Sequence, residues 1–302
     1  MAISFVTDVQ NKKAQKTLLN TNNNLNQSQQ KLASGKRVNS AKDDAAALQI
    51  IDRLSAQIQG LNQGNRNAND GIALMQTAEG AMDEMTNMLS RVRELAVQSA
   101  NGVYSDTDRA AMQQEAQSLS DEINRIANNT TFAGEKILAG KDSGSALINE
   151  NGDYYFQTGA NAGDVVTAGM EQGFTLDGMR EQIQQNNPNY DDSAAFTADG
   201  SSFDISTQAG AQATLEYIDN YIGTVDAARG ELGAVQNRLS STISNQSNII
   251  VNEADARSRM RDTDYAEETS NYIQQSILEK GVIALMMQGR QQKASTAYSL
   301  LS

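Results

Sequence analysis

The 302-residue sequence contains no cysteine, no histidine and no tryptophan, and it has one proline. Without cysteine and histidine there is no disulfide, no thiolate nucleophile, no imidazole base and no sulfur or imidazole metal ligand. Carboxylates, hydroxyls, lysines and tyrosines remain, so an enzyme would need paired carboxylates or a carboxylate-bound metal. These absences argue against most classes of enzyme.

Four acidic pairs are the remaining candidates for such chemistry. The first two lie at predicted helix starts, where carboxylates cap free N–H groups and favour the helix dipole. No pair begins the glycine and glutamate spacing of a calcium loop. We therefore expect no enzyme activity, no cofactor and no metal site. The pairs are Asp43-Asp44, Asp106 with Asp108, Asp191-Asp192 and Asp262 with Asp264.

Long apolar runs and aromatic residues are also scarce. No run approaches the roughly 20 residues of a membrane span, and the start has no pattern of a cleaved signal peptide. Taken alone, this indicates a cytoplasmic protein without a membrane partner. Apolar residues make up 39% of the chain and aromatic residues 5%. This composition favours long, narrow assemblies over a thick core.

The charge is uneven along the chain. The net charge is −13, yet residues 1–42 carry seven basic side chains and one acidic side chain. These lysines and the arginine are interleaved with asparagine, glutamine and leucine and lack the aromatic residues that stack on bases. We therefore expect a solvated or partner-facing helix here, and no binding of nucleic acid.

Three long amphipathic helices are predicted from heptad spacing. One runs from about Asp43 to Ala100 after a capping-box pattern at Ser40 to Asp43, and it stops at Asn101-Gly102. A second starts at another such pattern, Ser105 to Asp108, and a third covers about 210–255. Packing their apolar seams together requires one discontinuous bundle.

Both chain ends carry narrower stripes. On the front helix, leucines alternate with small residues; near the back, the apolar surface is broader. One narrow stripe cannot stabilise an isolated helix, so we expect both ends to be largely disordered in the monomer and to become helical on assembly. The residues assigned to these polymerisation arms are Leu18, Leu25, Leu32, Ile273, Ile277, Ala284, Met287 and Leu301.

The middle of the chain, residues 130–209, has a different character. Glycine is more frequent, short strand-like pieces occur, and Asn151-Gly152 is a hairpin signal. We expect β structure here, with Gln184 to Asp192 as turn or loop. The acidic part of this segment is expected to face solvent.

Four stretches resemble bacterial flagellins, in the same order along the chain. The first resembles the N-terminal hallmark of that family, the second its helix-to-loop segment, the third its C-terminal rod helix and the fourth the junction before its terminal helix. The stretches are Leu32 to Ala46, Arg91 to Asn101, Asp204 to Ala209 with Leu232 to Leu239, and Ala256 to Ala266.

The resemblance implies a mainly α fold with a small β region. It comprises a discontinuous long-helix rod bundle, paired coiled-coil-like terminal helices and a short variable β/loop insert. The inner domain comprises residues 1–42 and 259–302. The rod, with three helices and a β-hairpin, comprises residues 43–170 and 205–258. The outer insert comprises residues 171–204. The implied function is a subunit that polymerises into the extracellular flagellar filament used for motility.

The resemblance also implies partners. The chain would leave the cell unfolded through the flagellar channel, without a cleaved signal peptide, and bind itself, the export apparatus, a flagellin-specific chaperone, and hook-associated and filament-cap proteins. Arg91, Leu95 and Glu115 match positions that the flagellin-sensing Toll-like receptor of the host contacts. Plain salt bridges are the alternative explanation of the charged residues near Arg91.

Two rival functions compete with that of a filament subunit. A hook–filament junction protein shares the terminal design but does not polymerise without limit; Lys42 to Ala47 favours flagellin. The second rival is a flagellin with a protease in its insert. The zinc form of that protease requires a His-Glu-x-x-His motif, and the absence of histidine excludes it.

Overall fold

The computed structural model describes residues 9–141, 144–149, 152–170, 172–187, 190–197 and 200–301. Helices dominate, and the short strands form two separate antiparallel hairpins. The helices are α1 (Val9–Ser34), α2 (Ala45–Ser99), α3 (Asp106–Asn129), α4 (Leu176–Asn186), α5 (Gln208–Arg261) and α6 (Tyr265–Leu301). The strands are β1 (Thr131–Phe132), β2 (Glu135–Lys136), β3 (Asp153–Gln157) and β4 (Val165–Gly169). The prediction of a mainly α fold with a small β region is confirmed.

The chain divides into two compact units. An end unit combines Met1–Ile58 with Val251–Ser302, and a middle unit contains Gln59–Ile250. Helices α2 and α5 each contribute residues to both units.

The core of the middle unit lies along the predicted heptad seams. Every seam position that the heptad spacing predicts is buried or half-buried. These positions are Ile51, Leu54, Ile58, Leu61, Asn65, Ala68, Ile72, Met75, Glu79, Met82, Thr86 and Leu89 on α2, and Ile218, Ile222, Val225, Arg229, Leu232, Gln236, Leu239, Ile243, Gln246 and Ile250 on α5. Two polar seam positions pair with each other: Gln236 on α5 donates to Glu79 on α2 at 2.9 Å. Arg229 contacts Asp83 at 2.8 Å. The fully buried seam residues in this core include Ala68, Met75, Met82, Leu89, Ile218, Val225 and Leu239.

The two predicted capping boxes have different outcomes. Ser105 and Asp108 form the expected reciprocal hydrogen bonds at the start of α3. At the other site the prediction was wrong, because Ser40 and Asp43 close a turn that precedes the helix. Asp44 caps α2 instead, accepting a hydrogen bond from the backbone N–H of Ala47 at 2.9 Å.

The C-terminal end of α2 is held by side chains from elsewhere in the middle unit. Arg109, whose side chain is 8% exposed, donates to the carbonyls of Ser99 (3.0 Å) and Asn101 (3.2 Å). Gln208 donates to the carbonyl of Ala100 at 3.1 Å. A cation at this position satisfies free carbonyls and complements the negative end of the helix dipole.

The hairpin of β3 and β4 lies directly on the backbone of α2. Gly60, Gly64 and Gly71 form the contact, and a Cβ on Gly64 would lie 1.7 Å from the carbonyl oxygen of Thr158. That oxygen accepts a hydrogen bond from Gln246 of α5 at 2.7 Å. The glycines therefore allow an approach that any side chain would block. The predicted hairpin signal at Asn151-Gly152 includes Asn151, which lies outside the described residues.

The prediction of a solvent-facing loop in the middle segment was partly wrong. Residues 184–186 belong to α4, and Asp192 is 2% exposed. Asp192 accepts a hydrogen bond from the hydroxyl of Tyr221 and pairs with Arg180 at 3.1 Å. Arg180 also stacks over the Phe196 ring, 3.9 Å from its centroid. An aromatic core with a paired charge orders this segment, because a buried carboxylate must be paired.

Candidate functional site: the paired terminal helices

Helices α1 and α6 pair in antiparallel orientation within the end unit. At one end the Tyr265 hydroxyl donates to the carbonyl of Leu32 at 3.1 Å, and Lys31 lies 3.6 Å from Glu268. At the other end Asn11 lies beside Gly289. The covered face of α1 is the stripe identified from sequence. Its buried or half-buried side chains are Ala14, Leu18, Thr21, Leu25, Ser28 and Leu32.

Helix α6 has two different faces. Its half-buried side is mostly polar or small, with Tyr272, Gln275, Glu279, Val282, Met286 and Gly289. The stripe identified from sequence lies on the exposed side: Ile273 is 52% exposed, Ile277 65% and Met287 67%, and Ala284 is also exposed. The side chain of Leu301 lies outside the described residues. Within one chain, the more apolar face of α6 is therefore uncovered.

The pairing of α1 with α6 buries little apolar surface. In the described parts of these two helices, the buried side chains are Thr21, Ser28 and Glu268, and none is apolar. A fully buried aliphatic side chain contributes about 1.5–3 kcal/mol, so this pair lacks the main source of stability that the middle unit has. Apolar burial in the described parts of α1 and α6 therefore contributes little to the stability of the pair.

The connection between α1 and α2 packs against the connection between α5 and α6. The Arg37 N–H donates to the carbonyl of Arg261 at 2.6 Å, and the Thr263 N–H donates to the carbonyl of Gly35 at 3.1 Å. Gly35 has a φ of +67°, and a Cβ there would lie 3.1 Å from the Tyr265 hydroxyl. Two of the sequence motifs, far apart along the chain, therefore form one contact, which we call the arm junction (residues 35–44 and 257–265). No local sequence pattern predicts this pairing.

Carboxylates hold the arm junction in shape. Backbone hydrogen bonds from Asn39 and Ser40 lower the pKa of Asp43 from its ordinary 3.8. Hydrogen bonds from Ser258 and Arg261 lower the pKa of Asp262. Both groups are stabilised as anions, so their role here is structural.

The other acidic pairs also have structural partners. Asp106 pairs with Arg109, Asp108 completes the capping box, and Asp191 accepts from the Ser193 N–H. Asp264 accepts from the backbone at the start of α6. Within the described ranges, no group of three or more acidic residues could hold a metal ion, and no helix is long and apolar enough to cross a membrane.

The residues matched to the receptor contacts lie on α2 and α3 of the middle unit. Arg91 bridges Glu94 and Glu115, each at 2.9 Å. Leu95 does not lie on this surface: it is 2% exposed and packs with Ala96, Met112 and Ala116. Of the three matched residues, Arg91 and Glu115 are therefore exposed and Leu95 is buried. The sequence does contain a signal for this burial: if the apolar seam of α2 is continued beyond Leu89 through Val92, the helical turn that carries Leu95 falls in the core.

The fold and the uncovered face define a class of protein. Both chain ends form one antiparallel pair that buries little by itself and exposes its more apolar side, which suits a structural protein that assembles with other chains. The sequence profile of the bacterial flagellin N-terminal helical region matches residues 5–143, and that of the C-terminal helical region matches residues 215–298.

Curated relatives match over nearly the whole chain. Polar flagellin F of Vibrio parahaemolyticus is 36% identical, with 96% of this chain and 97% of the relative covered. Flagellin E of Vibrio cholerae is 37% identical, with 97% of each covered. Among solved structures, a putative flagellar hook-associated protein from V. parahaemolyticus shares the fold, with a TM-score of 0.54 and 19% identity over 73% of this chain and 100% of that protein.

The chain belongs to the bacterial flagellin family. Flagellins are structural proteins rather than enzymes, and they self-assemble into the flagellar filament outside the cell, which serves motility. The alignment with flagellin F spans 376 positions, more than the 302 residues of this chain, so this relative carries residues that the chain lacks.

Proposed function

We propose that subunits of this filament assemble through the exposed stripe of α6, defined by Ile273, Ile277, Ala284 and Met287. The observation that supports this proposal is that these side chains face outward while the half-buried side of α6 is the less apolar one, with Gln275, Ser276 and Glu279 among its members. Covering a half-exposed isoleucine or methionine contributes roughly 1–2 kcal/mol, and the contribution repeats in every subunit.

We further propose that residues 1–42 and 259–302 act together as the inner domain, that 43–170 and 205–258 act as the rod, and that 171–204 is the outer insert. The arms become ordered on assembly, where copies of the same helices supply the missing burial. Hook-associated and filament-cap proteins would contact the same face at the ends of the polymer.

Substitution of the exposed stripe tests the assembly surface. We expect Ile277→Ser with Met287→Ser to leave the monomer as stable as the wild type and to abolish filaments seen by electron microscopy. Gln274→Ser, an exposed polar position on the same helix, is the matched control and should assemble. Deletion of 1–42 or of 259–302 should leave a soluble chain that does not polymerise. Normal filaments from the double variant or from either deletion would refute the proposal.

We propose that the chain is exported unfolded through the flagellar channel, without a cleaved signal peptide, and that a flagellin-specific chaperone covers residues 273–301 before export. Two features support this: the chain has no cysteine to lock a fold, and the arms contribute little apolar burial to it. Secretion that continues in a strain lacking the flagellar export apparatus would contradict this route. Intact mass spectrometry of secreted protein would reveal any cleavage.

We propose that Arg91 and Glu115 form part of a surface that the flagellin-sensing Toll-like receptor binds. Their side chains are 49% and 47% exposed, and Leu95 would act only by holding α2 against α3. Arg91→Ala or Glu115→Ala should lower signalling in reporter cells while filaments form normally. Arg125→Ala, which removes a comparable exposed ion pair on α3, should not. Unchanged signalling in both patch variants would refute the hypothesis.

A further inference from the structure

The loop between α2 and α3 contains an asparagine followed by a glycine. Asn101 and Gly102 are exposed, and a Cβ on Gly102 would meet nothing within 4 Å. In such a dipeptide the backbone nitrogen of the glycine can approach the side-chain amide carbon of the asparagine, because no side chain hinders it. This loop plays no part in the assembly surface described above.

The loop geometry activates the same amide. The Val103 N–H donates to Asn101 Oδ1 at 3.3 Å, which polarises the side-chain carbonyl. When a nucleophile adds to that carbon, negative charge develops on Oδ1, and a donor already aimed at this oxygen stabilises the charge. The arrangement resembles a single-donor oxyanion site.

We propose that Asn101 is a site of spontaneous deamidation. The Gly102 nitrogen loses its proton to hydroxide and attacks Asn101 Cγ; the bond from Cγ to the side-chain nitrogen then breaks, and ammonia leaves with a proton from water. The resulting succinimide adds one water at either carbonyl, giving aspartate or isoaspartate. No oxidant or other reactant is needed, and the chain gains one negative charge.

The neighbouring arginine accommodates the isoaspartate product. The main-chain carbonyl of Asn101 accepts from Arg109 at 3.2 Å. In isoaspartate that carbonyl becomes a free carboxylate, so a new anion forms beside a largely buried guanidinium. The acid that pairs with Arg109 before the reaction, Asp106, has a side chain that is 99% exposed. The product therefore gains an ion pair in place of a hydrogen bond from the arginine to an uncharged carbonyl.

Peptide mass spectrometry of the aged, full-length protein tests the proposal. At mildly alkaline pH, the peptide containing Asn101 should gain about 1 Da, faster than peptides containing the exposed helical residues Asn69 and Asn128. In Gly102→Val the new Cβ would meet nothing within 4 Å, and the branched side chain should slow the change by roughly tenfold or more. Equal rates at the three asparagines, or an unaffected rate in Gly102→Val, would overturn the assignment.

A comparison with unfolded protein separates the loop geometry from the dipeptide alone. If the Val103 N–H activates the amide, the folded chain should deamidate at Asn101 at least as fast as the same chain in urea. A clearly slower reaction in the folded chain would show that the loop protects the residue and would refute the proposal. Peptide fragmentation in the mass spectrometer distinguishes isoaspartate from aspartate. It should show that protein which has remained folded contains isoaspartate at position 101.

Discussion

Substituting Gly64 with alanine should detach the hairpin of β3 and β4 from the helices beneath it. The new Cβ would lie 1.7 Å from the carbonyl oxygen of Thr158 and 2.6 Å from its carbonyl carbon. Real Cβ atoms essentially never approach closer than 3.0 Å, so the strand must move outward by more than 1 Å. Backbone atoms on both sides of the contact leave no flexible side chain to absorb the change.

The cost can be estimated from the contacts that the movement breaks. Overpacking a well-packed site costs about 1–3 kcal/mol. The 2.7 Å hydrogen bond from Gln246 to Thr158 would stretch beyond bonding distance, leaving a buried amide unpaired at a further cost of about 1–3 kcal/mol. Alanine is favoured over glycine inside a helix by about 1 kcal/mol, which offsets part of this cost. We expect a net destabilisation of roughly 1–5 kcal/mol.

A matched control lies on the same helix. Gly80 is exposed, and a Cβ there would meet nothing within 4 Å, so Gly80→Ala should stabilise the chain by about 0.5–1 kcal/mol. Urea unfolding followed by far-UV circular dichroism compares the two variants, and amide exchange of β3 and β4 reports the local effect. If Gly64→Ala unfolds at the same or a higher urea concentration than Gly80→Ala, the contact between Gly64 and Thr158 does not exclude a side chain at position 64.

Three further predictions concern other parts of the chain. Tyr221→Phe removes a donor to the buried carboxylate of Asp192, and urea unfolding should show a loss of about 1–3 kcal/mol; an unchanged midpoint would contradict that role. The pKa of Asp43 is lowered in the fold, so the stability that its carboxylate contributes is present above pH 4 and is lost as the pH falls through the lowered pKa. The NMR shift of the Asn39 amide, which donates to this carboxylate, should follow the titration. A midpoint at the ordinary 3.8 would refute the prediction. Because α1 and α6 bury no apolar side chain in their described parts, their amide hydrogens should exchange with solvent in the free subunit far faster than those of α2 in the middle unit. Strong protection of the α1 amides against exchange would disprove the expected disorder of the arms in the monomer.

Heptad spacing predicted the core well because the same residues that form the pattern make the contacts. The seams on α2 and α5 required only that apolar residues three and four positions apart share a face. Polar members such as Glu79 and Gln236 fit the same stripe because they bond to each other across it. Local capping chemistry was predictable at Ser105 for the same reason: its partner lies three residues away.

Contacts between distant segments could not be read from spacing. The arm junction joins backbone groups of Arg37 and Arg261, whose side chains play no part in that bond. Gly64 is required by the carbonyl of Thr158, which no local pattern reveals. Helix α4 was missed because its three buried residues, Leu176, Met179 and Ile183, are separated by charged and polar residues and a glycine, which weaken the apolar pattern.

Helix α6 reverses the usual arrangement of an amphipathic helix in a single chain. Such a helix normally turns its apolar stripe toward the core and its polar stripe toward water. Here Glu279 and Gln275 lie on the half-buried side while Ile277 and Met287 face outward. In an isolated subunit this orientation forgoes burial of the more apolar side. Under the assembly proposed above, a neighbouring subunit covers that side, and the largest gain in apolar burial for α6 would then come from contacts between subunits.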